Sequence, residues 1–522
     1  MPSSDYPANS LTTSETGVSR RPGLLAWCWA RPSTTQLCAA YLALAAVLAL
    51  PMMLVEVPLA SDTLNHLARI HVLANIGSDP DLARLFQVRD VLVPYMGLDW
   101  LLTPLARVVP TLVAGRIAIV LLLWGTVGAV VALQRVFTGR VGFEPLLMGL
   151  VSYNSLLAWG LLNYMLGVIG ALLGLAAWHG LRRRPWLLRL AVFTAVATAI
   201  YFTHLLALGL YAAMLGAYEA FGRSRPWRTP GRDWLLLVVQ FVPAVLLWIH
   251  LAMPSPGGDN NLYWLPEAKM RVLISPFLFS GAAGGPDPGL VVFVLCAFLL
   301  IRLTRTGVLR WSRKLAAPAA AFMLLSLVLP TQAFGVFIVD LRFPVAAAAL
   351  AVAGLQVASG TGRLRPVVPL LIGAVLAQVS FAGWEMRVCD RQYSEFRAAL
   401  QIVPRGSVLT SVQEVEAPMS GIPCSHLRVY EHMPQLITLD RSGYSPDFFA
   451  NVTSVAVRDG RPSDQEPWPA HLVEPGMLMP GAYLLWMHLG NHTRPVPPGL
   501  TMLHSGSFFD LFSIPGPPAP GR

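Results

Sequence analysis

Four side chains between residues 62 and 69 have types and spacing suited to chemistry. In "SDTLNHLARIHVL", Asn65, His66 and Arg69 follow Asp62 at i+3, i+4 and i+7, which places all four on one face of a helix. His71 lies at i+5 from His66 and points elsewhere. A carboxylate so placed can act as general base toward a hydroxyl, while His66 and Arg69 can bind an anionic phosphate. The plainer reading makes Ser61 or Asp62 the cap of that helix, where negative charge suits the helix dipole. Asp62 and His66 at i, i+4 could also share a divalent ion, Mg or Mn. No HExxH or comparable pattern completes a metal site.

Three further polar groupings interrupt apolar sequence. "YNSLLAWGLLNYMLG" (153–167) brings Asn154, Asn163 and Tyr164 to a corner where one apolar run turns into the next, and Gly160 and Gly167 permit close helix approach. That corner is either a tight helical hairpin with a polar turn or part of a binding site. "YFTHLLALG" puts His204 at another such turn. "FGVFIVDLRFPVAAAAL" sets Asp340 and Arg342 ahead of an apolar run, as a local salt bridge with a snorkelling arginine or as a guanidinium that holds a phosphate or diphosphate. Ionisable groups near membrane depth cost a few kcal/mol, which makes each a functional candidate by default.

The elements that must position these groups are membrane helices. The chain has 522 residues, 55% hydrophobic and 13% charged, with mean hydropathy +0.56; soluble domains carry about 25% charged residues. About eleven apolar runs are long enough to cross a bilayer, at 36–55, 112–134, 143–160, 162–180, 188–203, 205–221, 234–253, 288–304, 315–334, 342–359 and 366–384. The fold class expected is a polytopic α-helical bundle with a small α/β domain at its C-terminus. The net charge of +10 follows from arginines in alternate loops, among them Arg135, Arg140, Arg182, Arg183, Arg184, Arg223, Arg225, Arg228, Arg232, Arg302, Arg305, Arg363 and Arg365. Such loops stay cytoplasmic, so the charge implies orientation and not nucleic-acid binding.

On this reading residues 1–35, with Arg20, Arg21 and Arg31, are a disordered cytoplasmic segment, and the first run is an anchor, not a signal peptide. Residues 36–384 form the membrane domain. Its outer loop 56–111 carries two interface helices punctuated by Pro80, Pro94, Pro104 and Pro110, and its outer loop 254–287 is either a lid or a plain connection. Residues 385–522 lie outside, with β-like runs "GSVLTSV", "TSVAVRD" and "AYLLWMHL". Cys28, Cys38 and Cys296 read as apolar filler, whereas Cys389 and Cys424 lie where a disulfide can form.

All four polar groupings map to one membrane face, the outer one, and scattered structural residues have no reason to choose one side. With its first span, its first outer loop opening on "SDTLNHLAR", its interface helices and its outer C-terminal domain, the chain resembles the GT-C superfamily of integral membrane glycosyltransferases, such as protein O-mannosyltransferases and aminoarabinose transferases of lipid A. The resemblance implies transfer of a sugar from a polyprenyl-phosphate donor to a lipid, glycan or protein acceptor at the outer face of a bacterial cytoplasmic membrane. It makes Asp62 the base and Arg342 the group that meets the lipid phosphate. The first loop departs from the family in lacking an adjacent acidic pair; Asp99 in "GLDW", or Asn154 and Asn163, stand nearest that role. The competing classes are a transporter or lipid flippase, which would place ionisable groups at mid-bilayer and often carry internal repeats, and a non-catalytic membrane scaffold.

Overall fold

A computed structural model describes residues 32–58, 60–221, 231–251, 261–279, 287–333, 336–358, 367–414, 424, 430–450, 453–465, 467–470, 473, 477–489 and 497–516. The N-terminal segment with Arg20, Arg21, Cys28 and Arg31, the loop arginines Arg223, Arg225, Arg228, Arg363 and Arg365, and most of the 254–287 loop on either side of 261–279 lie outside the described residues.

Among the described residues six helices are long and apolar enough to cross a membrane: Thr34–Met53, Thr111–Thr138, Leu162–Gly180, Trp186–Thr203, Gly231–His250 and Val367–Leu400. The chain is a multi-pass membrane protein. Shorter helices, Leu205–Phe221, Gly289–Arg305, Arg313–Val328 and Phe343–Gly354, lie along four more of the apolar runs. Ala207 and Thr203 crowd Gly167 so closely that a Cβ there would lie 2.5 Å from the Ala207 Cβ. Small residues at such crossings let helices gain packing that lipid cannot compete with.

The run 143–160 departs from the expectation of a helical span. It is a 3-10 helix, Glu144–Leu150, a turn, and a short helix, Ser155–Ala158. It nevertheless runs beside the first helix in the same sense: the Tyr41 hydroxyl donates to the Gly142 carbonyl at 2.8 Å and the Tyr153 hydroxyl to the Leu48 carbonyl at 2.7 Å. Every residue from 148 to 158 is buried. Irregular backbone survives at membrane depth where protein covers it, and here protein does.

Val367–Leu400 also corrects a boundary. Its 34 residues extend about 50 Å, well beyond a hydrocarbon core of about 30 Å. The helix therefore passes through the expected domain border at 384/385, and its second half, with Asp390, Glu395 and Arg397, stands outside the apolar run. The C-terminal unit follows it. In that unit Leu409–Glu414 lies parallel to both Trp468–Pro469 and Tyr483–His488, and Phe509–Ser513 and Thr501–Ser505 extend the sheet antiparallel. Each of the three β-like runs of the sequence supplies a strand.

The loop 56–111 is built into this unit. It holds three helices, Thr63–Asn75, Pro80–Leu85 and Gly97–Ala106, and a strand, Phe86–Val88, that pairs antiparallel with Val455–Val457. Leu82, Leu85 and Phe86 share an apolar core with Tyr444, Phe448 and Val455. Arg405 pairs with Asp79 at 2.7 Å, Arg84 donates to the Gly406 carbonyl at 2.8 Å, and Asp390 accepts from the backbone of Glu56 and Val57. Cys389 and Cys424 form a disulfide, tying the stalk of the last helix to the segment that precedes Tyr430.

Candidate active site at one end of the bundle

The Thr63–Asn75 helix is seated on the 158–160 turn. The Ser61 and Asp62 amides donate to the Ala158 and Trp159 carbonyls at 2.9 and 3.2 Å. Gly160 makes this contact possible: its φ is +73°, and a Cβ would lie 2.7 Å from the Asp62 nitrogen. Asp62 occupies the N-cap position, yet its side chain makes no capping hydrogen bond. The carboxylate is part-exposed at 28% and turns to His432 of the C-terminal unit, with Oδ1 3.4 Å from Nε2.

His432 is enclosed. Its Nδ1 lies 3.5 Å from Asp447 Oδ2 and 3.2 Å from Asn65 Nδ2. Asn65 also donates to the Asp447 carbonyl at 2.6 Å and accepts from the Phe449 amide at 2.8 Å, and Gln435 donates to Asp447 Oδ1 at 2.6 Å. Burial opposes charge on His432, but the facing Asp447 and Asp62 carboxylates outweigh it and push the imidazole up to about 10. His66 behaves oppositely. Burial and the adjacent Arg69 hold it down to about 3. An Arg69 Nη2 donates to His66 Nδ1 at 3.2 Å, so the neutral ring carries its proton on Nε2.

Arg69 is committed elsewhere. Its Nε and Nη2 donate to the two oxygens of Asp99, each at 2.8 Å, and both side chains are 2% exposed. This bidentate pair joins the Thr63–Asn75 helix to Gly97–Ala106, so neither a second catalytic acid at Asp99 nor a phosphate ligand at Arg69 is free in this arrangement. Asn154 is likewise spent. Its carbonyl caps Ser155–Ala158 through the Leu156 and Leu157 amides, and its amide nitrogen donates to Val151 and Ser152. Asn163 accepts from the Leu98 amide at 3.0 Å, while its Nδ2 is buried with no partner among the described residues.

The third constituent is Arg342, which caps Phe343–Gly354. Asp340 does not pair with it, as the local salt bridge would require. The Asp340 carboxylate is taken by Lys269, which also donates to the Leu329 carbonyl at 2.7 Å, and by the Thr331 hydroxyl at 3.0 Å. Arg342 is 6% exposed, and no carboxylate pairs with it among the described residues. Its Nη1 lies 2.9 Å from His204 Nε2, its Nη2 3.3 Å from the Phe337 carbonyl, its guanidinium 5.4 Å from the Tyr164 ring, and its Nε has no partner. The Tyr164 hydroxyl donates to the Arg342 carbonyl at 2.8 Å. His204 Nδ1 in turn faces the Leu206 amide at 3.1 Å. Arginine and amide both only donate, and a neutral imidazole accepts at one nitrogen, so His204 cannot satisfy both. Asp62 lies within electrostatic reach of Arg342, and His66 within that of His204.

Asp62, Asn65, His66, His204, Tyr164 and Arg342 thus gather at one end, opposite the Arg140 and Arg182 loops. His71 points away, to Thr111 at 3.0 Å. Sequence reasoning missed His432, Asp447 and Lys269: each is one unremarkable residue in a polar stretch, and only tertiary folding brings them here. The donor set does not fit the metal site considered for Asp62 and His66. Among the described residues no group of three or more His, Cys, Asp or Glu side chains could hold an ion, and Arg69 occupies His66 Nδ1.

No protein-family model matches this chain, and no curated protein matches it. Among solved structures it is similar to the arabinofuranosyltransferase AftD from mycobacteria, seen in two cryo-electron microscopy classes of a mutant. The first superposes with TM-score 0.45 at 15% identity, over 94% of this chain and 42% of that one. The second gives TM-score 0.39 at 15% identity, over 93% and 42%. The chain spans less than half the length of that enzyme.

Proposed function

We propose that the protein is an integral membrane glycosyltransferase that moves a sugar from a polyprenyl-phosphate donor to an acceptor hydroxyl on a lipid, glycan or protein, at the outer face of a bacterial cytoplasmic membrane. The observation that supports this most is the opposition of two groups at one mouth: a part-exposed carboxylate, Asp62, and a buried guanidinium, Arg342, whose neighbouring carboxylate has been taken by Lys269. A guanidinium with no paired carboxylate among the described residues is suited to an anion that arrives with substrate.

In the reaction, Asp62 accepts the proton of the acceptor hydroxyl as its oxygen attacks the anomeric carbon. The bond from that carbon to the phosphate oxygen breaks, and the polyprenyl phosphate leaves with an added negative charge. Arg342 stabilises that charge, and Tyr164 holds the backbone of Arg342 in place. Attack opposite the leaving group inverts the anomeric centre. The Asn163 amide, unpartnered among the described residues, is a further donor for substrate.

The test is transfer from radiolabelled polyprenyl-phosphate pentoses and hexoses by the purified full chain in proteoliposomes, with and without divalent metal. Asp62→Asn is expected to lower transfer by about 10²- to 10⁴-fold with the fold intact, because the carboxylate caps no helix. Wild-type transfer rates in Asp62→Asn would remove Asp62 from the reaction.

A further inference from the structure

We propose that His432, carried by the C-terminal unit, is a positioning residue for Asp62: it holds one carboxylate oxygen and leaves the other for the acceptor hydroxyl. This rests on the reading of Asp62 as the base. Three features of the structure lead to it.

The first is the direction of the contact. Asp62 Oδ1 lies 3.4 Å from His432 Nε2, and a carboxylate can only accept, so Nε2 carries a proton. That holds whether Nδ1 accepts from Asn65 or, in the charged ring, donates to Asp447. The second is the depth of the support. Asp447 is 2% exposed and its Oδ2 has no hydrogen-bond partner, while His432 is its ion-pair partner among the described residues. A buried carboxylate in that state demands a facing cation. The Asp447 side chain is fixed by Gln435, and the ring by an edge contact with Phe449 at 4.9 Å between centroids. The third is the asymmetry at Asp62. Oδ1 is held, the side chain remains part-exposed, and no helix amide competes for it. The charged or titratable groups facing His432 are therefore Asp62 and His66 from the outer helix and Asp447 from its own unit.

The arrangement makes the reacting centre composite. A bundle-side helix brings the carboxylate, and the unit after the last helix sets its rotamer and supplies a compensating charge. A base held in one geometry loses less on reaching the transition state than a free one.

Two measurements on the full chain test this. The first needs no substrate. In protein labelled with 15N-histidine, the resonance lost in His432→Gln identifies His432, and its titration is followed in wild type and in Asp62→Asn. Removing the facing charge is expected to lower the midpoint by about one unit or more; an unmoved midpoint overturns the coupling. The second is transfer from the labelled polyprenyl-phosphate sugars. His432→Ala is expected to lower kcat about 10- to 100-fold with donor KM within about threefold. His432→Gln, whose amide still donates, should recover part of that loss. Both should move the acid limb of the pH–rate profile upward, because the carboxylate has lost a neighbouring cation. Wild-type kcat and an unmoved acid limb in His432→Ala, or an unmoved limb in His432→Gln if the alanine variant does not fold, overturn the proposal. The outcome that instead defeats the underlying reading is separate: Asp62→Asn transferring at the wild-type rate.

Discussion

Lys269 takes the Asp340 carboxylate away from Arg342, two residues along the chain from it. The aspartate of the Lys269–Asp340 pair is buried, at 1% side-chain exposure, and the lysine is part-buried at 14%. The lysine also spends donors on the Leu329 and Ser326 carbonyls, which fixes its position under the loop. The consequence is a charge separation along three residues: Asp340 is neutralised from one side, and Arg342 faces the opposite way toward His204 and Asp62.

Removing Lys269 is therefore expected to damage the site twice. Lys269→Met leaves Asp340 buried with Thr331 as its remaining side-chain partner among the described residues, which should cost about 3 kcal/mol or more of stability, and frees that carboxylate to pair with Arg342. Thermal unfolding in detergent should show the first effect. Weaker binding of a labelled polyprenyl phosphate should show the second. The double variant Lys269→Met with Asp340→Asn should recover phosphate binding, because it removes the competing carboxylate; no recovery would show that Lys269 acts otherwise.

Gly160 sets the entry of the Asp62 helix. Gly160→Ala places a methyl group 2.7 Å from the Asp62 nitrogen and 2.8 Å from that of Thr63, on a backbone with φ of +73°. The strain is worth about 1–2 kcal/mol. Relief requires Asp62 to move, so transfer should fall by more than the loss of stability predicts. A small fall in Tm with an activity loss above tenfold is the expected pair of readings, and unchanged activity would mean the turn adapts without moving Asp62.

The bundle was legible in the sequence because hydropathy and arginine placement are local signals that survive without tertiary knowledge. So was the one-faced cluster at 62–69: its i+3, i+4 and i+7 spacing is a property of any helix. What the cluster does was not legible. Asn65 and Arg69 both belong to the face, yet the first is spent on His432 and Asp447 and the second on Asp99, and those partners lie 367, 382 and 30 residues away. The irregular 143–160 passage escaped for another reason: its apolarity reflects burial inside protein, which composition cannot separate from contact with lipid. The pairing of Phe86–Val88 with Val455–Val457 joins segments whose short apolar runs carry no mark of register.

Arg69 and Asp99 give a test that separates structure from substrate binding. The pair is buried and bidentate, so Asp99→Asn should leave an uncompensated guanidinium and cost about 3–5 kcal/mol. The double change Arg69→Met with Asp99→Leu removes both charges and should regain most of that, since apolar replacement of a buried pair is often near neutral. If the double variant is stable and its donor KM is close to that of wild type, Arg69 is a strut between two outer helices. A large rise in KM in a stable double variant would return it to the substrate site.

Two histidines within reach of Asp62 should bend the stability of the outer assembly in opposite directions with pH. His66 is held down to about 3, chiefly by burial and then by Arg69, against 6.5 in an unfolded chain. Between those values the unfolded state binds the extra proton, so its contribution is present above pH 6.5 and lost as pH falls toward 3. His432 is pushed up to about 10 by Asp447 and Asp62 against the cost of burial. Between 6.5 and 10 the folded state binds the extra proton, so its contribution is full below pH 6.5 and lost as pH rises through 10. The two limbs meet near neutrality, and Tm of the full chain measured across pH should peak there. His432→Gln should flatten the alkaline limb alone, and His66→Gln the acid limb alone. A Tm profile whose alkaline limb survives in His432→Gln would mean that another group carries it, and that His432 is not held as a cation between Asp62 and Asp447.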